Sequence, residues 1–513
     1  MNRPLERSVM GRICARRAAV AALAVATLAA GAGLGASALR STVAAPHDPT
    51  SPTVGAERER ARRPGGDTTV ALQQRLTMLR PAANLDDAQK ARFYAGKALA
   101  TQPWVRAPSV TDARDGLGPL YNAPTCLACH VNGGRGRTTE SASETAVATV
   151  ARISVPGEDV HGGPLPDPVY GAQIQTRSIS LAHQLRGRPG ADAYRDDGPE
   201  AEARLALGWT SSRYTYPDGA SVEMRAPSPR LSELAYGPLH PEARLGLRHA
   251  PSLAGVGLLE RIPEAAIEAL ADPLDRDGDG VSGRVQRVWD LETSTKRLGR
   301  FGWKADQPTV RAQVAAAFVN DLGITSPLFP GQPCTDAQTR CLEAPHGNDH
   351  DGHEISAELL ELVAFFNASI GVPERRAPED PRVARGGELF AAIGCAACHA
   401  PHFVTEDDPS HRHLSGQAIA PYTDLLLHDL GEALSDGREA FEASGSEWRT
   451  APLWGVGLAL EIDDGVGFLH DGRARTVEEA ILWHGGEATR SRDGFAALDL
   501  GDREVVMTFV RSL

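Results

Sequence analysis

The pattern C-x-x-C-H occurs twice in the 513-residue chain, in the segments PTCLACH (124–130) and GCAACH (394–399). Two cysteines at this spacing can form thioether bonds to the vinyl groups of a haem, and a histidine directly after them can bind the iron. A zinc site would need four converging ligands, so the two motifs would have to share one ion. We therefore predict two covalently bound haem c groups, held by Cys126, Cys129 and His130 and by Cys395, Cys398 and His399.

Two further cysteines, Cys334 and Cys341, frame the segment CTDAQTRC. In an oxidising compartment, a disulfide that closes this loop would stabilise the fold by about 2.5 kcal/mol through loop-closure entropy. The alternative is a pair of free thiols with a redox role. Cys14 lies in the N-terminal segment and would be removed with it.

The first 40 residues differ in composition from the rest of the chain. Several arginines precede an Ala-, Val- and Leu-rich run from Ala18 to about Leu39. This order is typical of an export signal, and the alternative is an uncleaved membrane anchor. Residues 41–75 are rich in Pro, Ser, Thr, Arg and Gly, which predicts a disordered linker. We expect a periplasmic or otherwise exported protein that is not integral to the membrane after processing.

The charge of the chain limits its partners. It carries 53 basic and 66 acidic side chains, a formal net charge of −13. Because no basic stripe offsets this charge, nucleic acid is excluded as a partner.

Helices are predicted beside both C-x-x-C-H motifs. Apolar residues recur at helical spacing in four segments, 87–105, 355–371, 383–403 and 501–513. The order helix, C-x-x-C-H, loops and terminal helix is typical of a small cytochrome c domain. The sequence therefore predicts a mainly α fold with two cytochrome c-like haem domains, the first of which carries long loop-rich insertions. The Pro-rich segment 372–381 suggests that these domains cover residues 76–375 and 376–513.

Longer segments of the chain carry a family resemblance. They are GLGPLYNAPTCLACHVNGGRGR (116–137), RHAPSLAGVGLLERIPE (248–264), ADPLDRDGDGVSG (271–283), GRFGWKADQPTVRAQVAAAFVNDLGITSPLFP (299–330) and GFLHDGRARTVEEAILWHGGEA (467–488). From about residue 85 to the C-terminus, the chain resembles the di-haem oxidoreductases. Members of that family are labelled peroxidases or thiol oxidoreductases, and the family is distantly similar to bacterial di-haem cytochrome c peroxidases.

The resemblance implies residues for peroxide chemistry. The peroxidase relatives carry a tryptophan between the haems, a glutamine ten residues later and an acid beyond it. The matching residues here are Trp303, Gln313 and Asp321, although the acid is an aspartate and comes two residues early. The alternatives are a core tryptophan at Trp303 and a surface carboxylate at the helix end for Asp321.

The histidines decide which iron keeps an open axial position. By resemblance, His484 in ILWHGG is the distal ligand of the C-terminal haem, opposite His399, unless it is an exposed histidine at a helix end. His240 in GPLHPEARL lies where some peroxidases keep a removable distal ligand of the N-terminal haem, or it caps a loop. His470 in FLHDGR is expected to form a hydrogen bond near a haem propionate.

Calcium is predicted at the acidic segment DRDGDGVSG (275–283). Asp275, Asp277 and Asp279 alternate as in the first half of an EF-hand loop, and Gly280 permits a sharp turn. Gln286 stands where that loop would have its glutamate, so a plain acidic turn is the alternative.

A second calcium site is implied by resemblance alone. The segment WRTAPLWGVG (448–457) resembles one that supplies Thr and Pro carbonyls to an inter-haem calcium in the relatives. Thr450 and Pro452 match those ligands, but the relatives' asparagine ligand is replaced here by His249.

These residues predict an exported, peroxidase-like di-haem c-type oxidoreductase that reduces hydrogen peroxide with electrons relayed through the C-terminal haem. One alternative is an electron-transfer cytochrome with both irons six-coordinate. Another is an O2-dependent oxygenase or oxidase of an organic or protein substrate. The expected partners are a small redox donor protein or a quinol-linked cytochrome, and a small oxidant.

Overall fold

Helices flank both C-x-x-C-H segments in the computed structural model, which describes residues 61–73, 77–144, 146–184, 198–348 and 350–513. The α-helices are α1 (Asp87–Thr101), α2 (Leu181–Gln184), α3 (Val256–Glu260), α4 (Glu264–Glu268), α5 (Val310–Ala317), α6 (Thr339–Leu342), α7 (Ala357–Ala368), α8 (Pro381–Ala392), α9 (Val456–Ile462), α10 (Val477–Trp483), α11 (Thr489–Ala497) and α12 (Leu500–Ser512). A π-helical turn, Phe318–Leu322, continues α5.

The four helices predicted from apolar spacing are confirmed as α1, α7, α8 and α12. Their starts follow standard capping chemistry. Asp86 and Gln89 form a capping box at the start of α1, and Asp380 accepts a hydrogen bond from the N–H of Arg382 at the start of α8. The disulfide between Cys334 and Cys341 is also confirmed.

The strands form small antiparallel sheets of two or three strands. They are β1 (Leu120–Tyr121), β2 (Thr149–Glu158), β3 (Pro164–Leu165), β4 (Arg177–Ser178), β5 (Arg204–Thr215), β6 (Ser221–Ser232), β7 (Arg244–His249), β8 (Arg287–Asp290), β9 (Thr295–Leu298), β10 (Phe403–Val404), β11 (Ala418–Ile419), β12 (Leu427–Asp429) and β13 (Glu447–Arg449). The longest pairing is the β5–β6 hairpin, and β2 lies between β3 and β7.

The prediction of a mainly α fold with two cytochrome c-like domains is wrong. The structure is 31% helical and 19% strand. Most of the strand residues come from β2, β5, β6 and β7, in a region predicted as loop-rich insertion. Leu205 and Leu207 of β5 are buried at alternate positions, the period of a strand with one covered face. This alternation covers only part of β5 and is a weaker signal than the helical spacing next to the motifs.

The helix before each motif crosses a second helix at a glycine. A Cβ atom on Gly96 of α1 would lie 2.0 Å from the carbonyl oxygen of Leu362 in α7. Likewise, a Cβ atom on Gly386 of α8 would lie 2.2 Å from the carbonyl oxygen of Val505 in α12. The absence of side chains at these points lets the backbones approach closely, which fixes the chain that runs on into each motif.

The predicted export signal, residues 1–40, and residues 41–60 of the predicted linker lie outside the described residues. Residues 61–73 of that linker contact the rest of the chain, since the N–H of Val70 donates to the carbonyl of Val372 at 2.9 Å. The described part of residues 50–513 forms one compact unit. The division at residues 375 and 376 stays a prediction. Among the helices of the described residues, none combines the length and apolarity needed to cross a membrane.

Candidate functional site

Each C-x-x-C-H segment forms a short 3-10 turn, Cys126–Ala128 in the first motif and Cys395–Ala397 in the second. The main-chain N–H of each motif histidine donates to the carbonyl of the first cysteine, at 2.9 Å and 3.0 Å respectively. The second turn begins at Gly394 with φ of 92°, a conformation that favours glycine. The cysteines of both motifs are free. Each turn therefore presents two thiols and one imidazole.

The two motif histidines share one hydrogen-bonding arrangement. Nδ1 of His130 lies 2.6 Å from the carbonyl oxygen of Pro251, and Nδ1 of His399 lies 2.9 Å from that of Tyr422. A carbonyl only accepts, so Nδ1 carries the proton and Nε2 keeps its lone pair. Burial lowers the pKa of both imidazoles, that of His399 to about 4. Both rings are therefore neutral and suited to bind a metal through Nε2.

A cavity that is partly open to solvent adjoins the second motif, and we call it the C-terminal cavity. Its walls include the motif residues Cys395, Cys398 and His399. Most of the other lining side chains are apolar, among them Phe390, Leu434, Leu453, Phe468, Ile481 and Val510. An apolar cavity with thiols and an imidazole at one wall suits a large, flat apolar group.

His484 lines the C-terminal cavity at the end of α10. Its Nδ1 lies 2.8 Å from the carbonyl oxygen of Ala480, one helical turn earlier, so its Nε2 also keeps its lone pair. Burial lowers the pKa of His484. His399 and His484 line the same cavity, and a positive charge on His484 would lower the pKa of His399 further.

Asp321 lies beside the first motif. Its main-chain carbonyl accepts hydrogen bonds from the N–H groups of Asn122 and Ala123, which stand just before the motif. Burial and then the charge of Asp321 raise the pKa of both Cys126 and Cys129. The segment of the π-helical turn is therefore tied to the approach of the first C-x-x-C-H turn.

The carboxyl group of Asp321 is buried and has one amide partner. Burial raises its pKa, while Arg152, the Gln173 hydrogen bond and His130 oppose the rise. Nε2 of Gln173 donates to Oδ1 of Asp321 at 2.8 Å. Oε1 of Gln313, on α5, is buried and has no hydrogen-bond partner. An unpartnered buried acceptor is costly, so Gln313 is suited to a donor that the chain does not provide.

Trp303 is buried and lines the C-terminal cavity. Its indole N–H donates to the carbonyl of His249 at 2.7 Å, and its own carbonyl accepts from the N–H of Arg449 at 2.9 Å. His470 lines the same cavity and is buried as well. The residues predicted by resemblance therefore lie in two places. Trp303, His470 and His484 line the cavity beside the second motif, and Asp321 lies beside the first motif.

His240 is in the turn between β6 and β7. Its N–H donates to Oδ2 of Asp167 at 3.0 Å, and its Nδ1 accepts from the N–H of Glu242 at 3.2 Å. When Nδ1 accepts, the proton is on Nε2, which then has no lone pair for a metal. These contacts are those of a histidine that caps a loop. The role of a removable iron ligand stays a prediction.

Comparison with protein-family models identifies the family to which the chain belongs. Residues 59–513 match the family model described as "Di-haem oxidoreductase, putative peroxidase". The chain belongs to the di-haem oxidoreductase family. Searches of curated proteins and of solved structures gave no match. The family match confirms the resemblance seen in the sequence and supports an oxidoreductase with two haems.

The structure of this di-haem oxidoreductase adds His428, which sequence reasoning missed. His428 is buried, lines the C-terminal cavity and lies with Nδ1 3.6 Å from Sγ of Cys398. Its two nitrogens contact Asp424 and Glu487, both at 2.8 Å. Although burial opposes it, hydrogen bonds to Asp424, Cys398 and Glu487 raise the pKa of His428 to about 12. The di-haem oxidoreductase thus holds an imidazolium beside the second motif.

Carboxylate oxygens of Asp275, Asp277 and Asp279 lie within 4.8 Å of one another. The loop turns at Gly278 and Gly280, whose φ angles are 73° and 86°. The cluster is largely exposed, and acidic groups of this kind are common without an ion. Bound calcium at this loop of the di-haem oxidoreductase stays a prediction.

The inter-haem calcium site stays a prediction, and two of its groups already have hydrogen-bond partners. The carbonyl oxygen of Thr450 already accepts from Oγ1 of Thr423 at 2.6 Å and from the Arg449 guanidinium at 3.0 Å. Both ring nitrogens of His249 have partners, Thr149 and the carbonyl of Gly136. Pro452 lines the C-terminal cavity. The Arg449 guanidinium therefore lies at the Thr450 carbonyl, which a calcium ion would need as a ligand.

Proposed function

We propose that this di-haem oxidoreductase is an exported c-type enzyme that reduces hydrogen peroxide, with electrons relayed through the C-terminal haem. One observation carries the proposal. His399 and His484 line one cavity, and both have Nδ1 hydrogen-bonded to a carbonyl, whereas the first motif lies beside a buried carboxyl group. The two motifs therefore have different surroundings, as expected if one haem transfers electrons and the other binds the oxidant.

The residues of the C-terminal cavity fit a covalently bound haem. Cys395 and Cys398 would form the thioether bonds, and His399 and His484 would be the histidine ligands of the iron. The apolar lining suits the macrocycle, and the two imidazoles are neutral because burial lowers their pKa. Two histidine ligands leave such a haem without an exchangeable position, which suits electron transfer.

The first motif supplies the same thiols and imidazole through Cys126, Cys129 and His130. A bound haem supplies one-electron exchange and, where one axial position is open, a binding place for a small oxidant. Reduction of hydrogen peroxide to two molecules of water consumes two electrons and two protons. The protein must therefore hold and move protons close to the first motif.

Asp321 is the residue we assign to proton transfer. Its carboxyl group is buried, its pKa is raised by burial, and Gln173 fixes one of its oxygens at 2.8 Å. A buried carboxyl group with a raised pKa can both hold and release a proton. The unpartnered Oε1 of Gln313 would accept a hydrogen bond from the oxidant and orient it.

Trp303 is the residue we assign to electron transfer between the two sites. Its indole lines the C-terminal cavity, and its N–H is bound to the carbonyl of His249, two residues before Pro251, whose own carbonyl is the partner of His130. A short covalent and hydrogen-bonded route therefore runs from the C-terminal cavity to the imidazole of the first motif. The electron donor would be a small redox protein or a quinol-linked cytochrome outside the cytoplasm.

Electron paramagnetic resonance of the oxidised, purified protein tests the proposal. We expect one high-spin ferric signal from the N-terminal haem and one low-spin signal from the C-terminal haem. Two low-spin signals, with no carbon monoxide binding after reduction, would instead support an electron-transfer cytochrome. A colourless protein whose mass is that of the bare chain would rule out both functions.

A turnover assay separates the two enzymatic alternatives. The proposal predicts that hydrogen peroxide is consumed while a reduced small cytochrome is oxidised, two equivalents per peroxide. An oxygenase would instead consume dioxygen together with an organic or protein substrate and would leave the cytochrome reduced.

A further inference from the structure

Arg135 is a buried cation at the junction of the two motifs. It follows His130 by five residues, yet its side chain lines the C-terminal cavity. Only 7% of the residue is exposed. The guanidinium lies 5.7 Å from the ring centroid of Trp303 and 5.3 Å from that of Phe468, and Nε donates to the carbonyl of Gly467 at 3.0 Å.

No carboxylate of the described residues offsets this charge. Burial is the sole cause that lowers the pKa of Arg135, to about 10. Two other arginines near the cavity do have such a partner: buried Arg473 pairs with Asp471 at 2.7 Å, and half-buried Arg248 pairs with Asp436 at 2.6 Å. A buried guanidinium without an anionic partner is unfavourable, because no opposite charge offsets the cost of its desolvation.

The cavity walls do not provide a free anion either. Among the described lining residues, the carboxylate is that of Glu487, which is bound to His428 at 2.8 Å and accepts from Ser282 at 2.9 Å. A second buried guanidinium, that of Arg449, also lines the cavity and donates only to the carbonyls of Gly302 and Thr450. A negatively charged group on an occupant of the cavity would therefore offset the charge of Arg135.

We propose that Arg135 binds a carboxylate of that occupant, with its aromatic neighbours excluding water from the pair. Under the proposed function, on which this inference rests, the carboxylate is a propionate of the C-terminal haem. An Arg–carboxylate pair of this kind is strong and directional, because a guanidinium can donate two parallel hydrogen bonds. Arg135 thereby ties the segment of the first motif to the haem of the second.

The pair has a measurable electrostatic consequence. A cation in a buried, apolar site stabilises the ferrous state relative to the ferric state, since the ferric state carries one more positive charge. Loss of the Arg135 cation therefore lowers the reduction potential of the C-terminal haem. A free carboxylate from solution would act differently, because its effect would depend on its concentration.

The test is a spectroelectrochemical titration of the low-spin haem in the full-length protein with both haems attached. R135Q should decrease the equilibrium constant for reduction at least tenfold, which corresponds to about 59 mV for one electron. R135K keeps the charge and should retain most of the wild-type value. R137Q is the matched control, because Arg137 is 61% exposed and pairs with Asp463 at 2.8 Å.

The outcomes separate this inference from the proposed function. An R135Q protein with both haems and the wild-type potential overturns the inference and leaves the function intact. A wild-type protein without haem overturns the function. A wild-type potential that moves with added acetate, and no longer does so in R135K or R135Q, would identify a free carboxylate and overturn the propionate assignment.

If R135Q does not fold, two other measurements test the pair. The first is the reduction potential of R135M. The second is the propionate bending mode in the resonance Raman spectrum of R135K, and a mode unchanged from wild type contradicts the pair.

Discussion

The imidazole of His470 stacks on the indole of Trp448, with ring centroids 3.6 Å apart and an interplanar angle of 13°. The ammonium group of Lys304 lies 3.9 Å from the centroid of the same indole. Burial lowers the pKa of His470 to about 3, so the stacked imidazole is neutral. A cation over the face of an indole is attracted to the ring quadrupole. We therefore expect Trp448 to stabilise the C-terminal cavity.

The first prediction concerns that structural role. W448F should destabilise the protein by about 2 kcal/mol, because it removes the N–H bond to the carbonyl of Leu434 and weakens the contact with Lys304. Denaturant unfolding measures the loss. Peroxide turnover of the folded variant should stay close to that of the wild type. A folded W448F with wild-type stability but slow turnover would reverse the assignment.

The second prediction concerns Trp303. W303F should slow electron transfer from the C-terminal haem to the N-terminal iron, because it removes the indole and its hydrogen bond to the carbonyl of His249. Stopped-flow reduction of the C-terminal haem, followed by re-reduction of the N-terminal haem after peroxide, measures this step directly. W448F is the matched control for loss of a buried tryptophan in the same cavity. Equal rates in the two variants would contradict the route through Trp303.

The third prediction concerns His484. H484A should convert the low-spin ferric signal of the C-terminal haem to a high-spin signal and should allow carbon monoxide to bind after reduction. The reason is that His484 is neutral and has Nε2 free to bind iron. H240A is the comparison. If His240 only caps its turn, this variant keeps both wild-type signals, whereas a change in the N-terminal signal would make His240 an iron ligand.

Local chemistry explains what the sequence could predict. The C-x-x-C-H turns and the helices α1, α7, α8 and α12 follow from short-range spacing, and so does the disulfide between Cys334 and Cys341. The β5–β6 hairpin gave a weaker signal, because only part of β5 alternates between buried and exposed residues. The prediction of fold class failed for that reason.

Partners that are remote in sequence explain what could not be predicted. The charge of His428 depends on Glu487, 59 residues later in the chain, and on a cavity that only the folded chain forms. Arg135 lies beside the first motif in sequence but faces the cavity of the second. Neither relationship leaves a pattern within a short window of sequence.

The fourth prediction follows from the raised pKa of His428. A group whose pKa is raised from 6.5 to about 12 on folding stabilises the protein fully below pH 6.5, and this stabilisation declines as the pH rises toward 12. Wild-type stability should therefore include a term that falls by about 1.4 kcal/mol per pH unit above pH 6.5. D424N removes one carboxylate partner and lowers the pKa of His428. Its stability should be lower at pH 7 and should fall less steeply between pH 7 and pH 9.

Thermal unfolding at several pH values measures this slope, with D429N as the control at a neighbouring, exposed aspartate. A wild-type stability that does not fall between pH 7 and pH 9 would show that His428 is not charged in the folded protein. We expect the stability of D429N to change with pH in parallel with that of the wild type, and the stability of D424N to change less.

The last prediction concerns Asp321. D321N keeps the size of the side chain and the main-chain contacts with Asn122 and Ala123, but it cannot release a proton. We expect the rate of peroxide reduction to fall by roughly 100-fold or more, the usual effect of losing a general acid or base. Both spin signals and the potential of the C-terminal haem should be unchanged, which distinguishes loss of proton transfer from loss of structure. Q173L is the graded comparison. It removes the amide that fixes the Asp321 carboxyl group and that also donates to the carbonyl of Asn320, and it should slow turnover less than D321N does. Full peroxide turnover by D321N would place the proton donor elsewhere at the first motif.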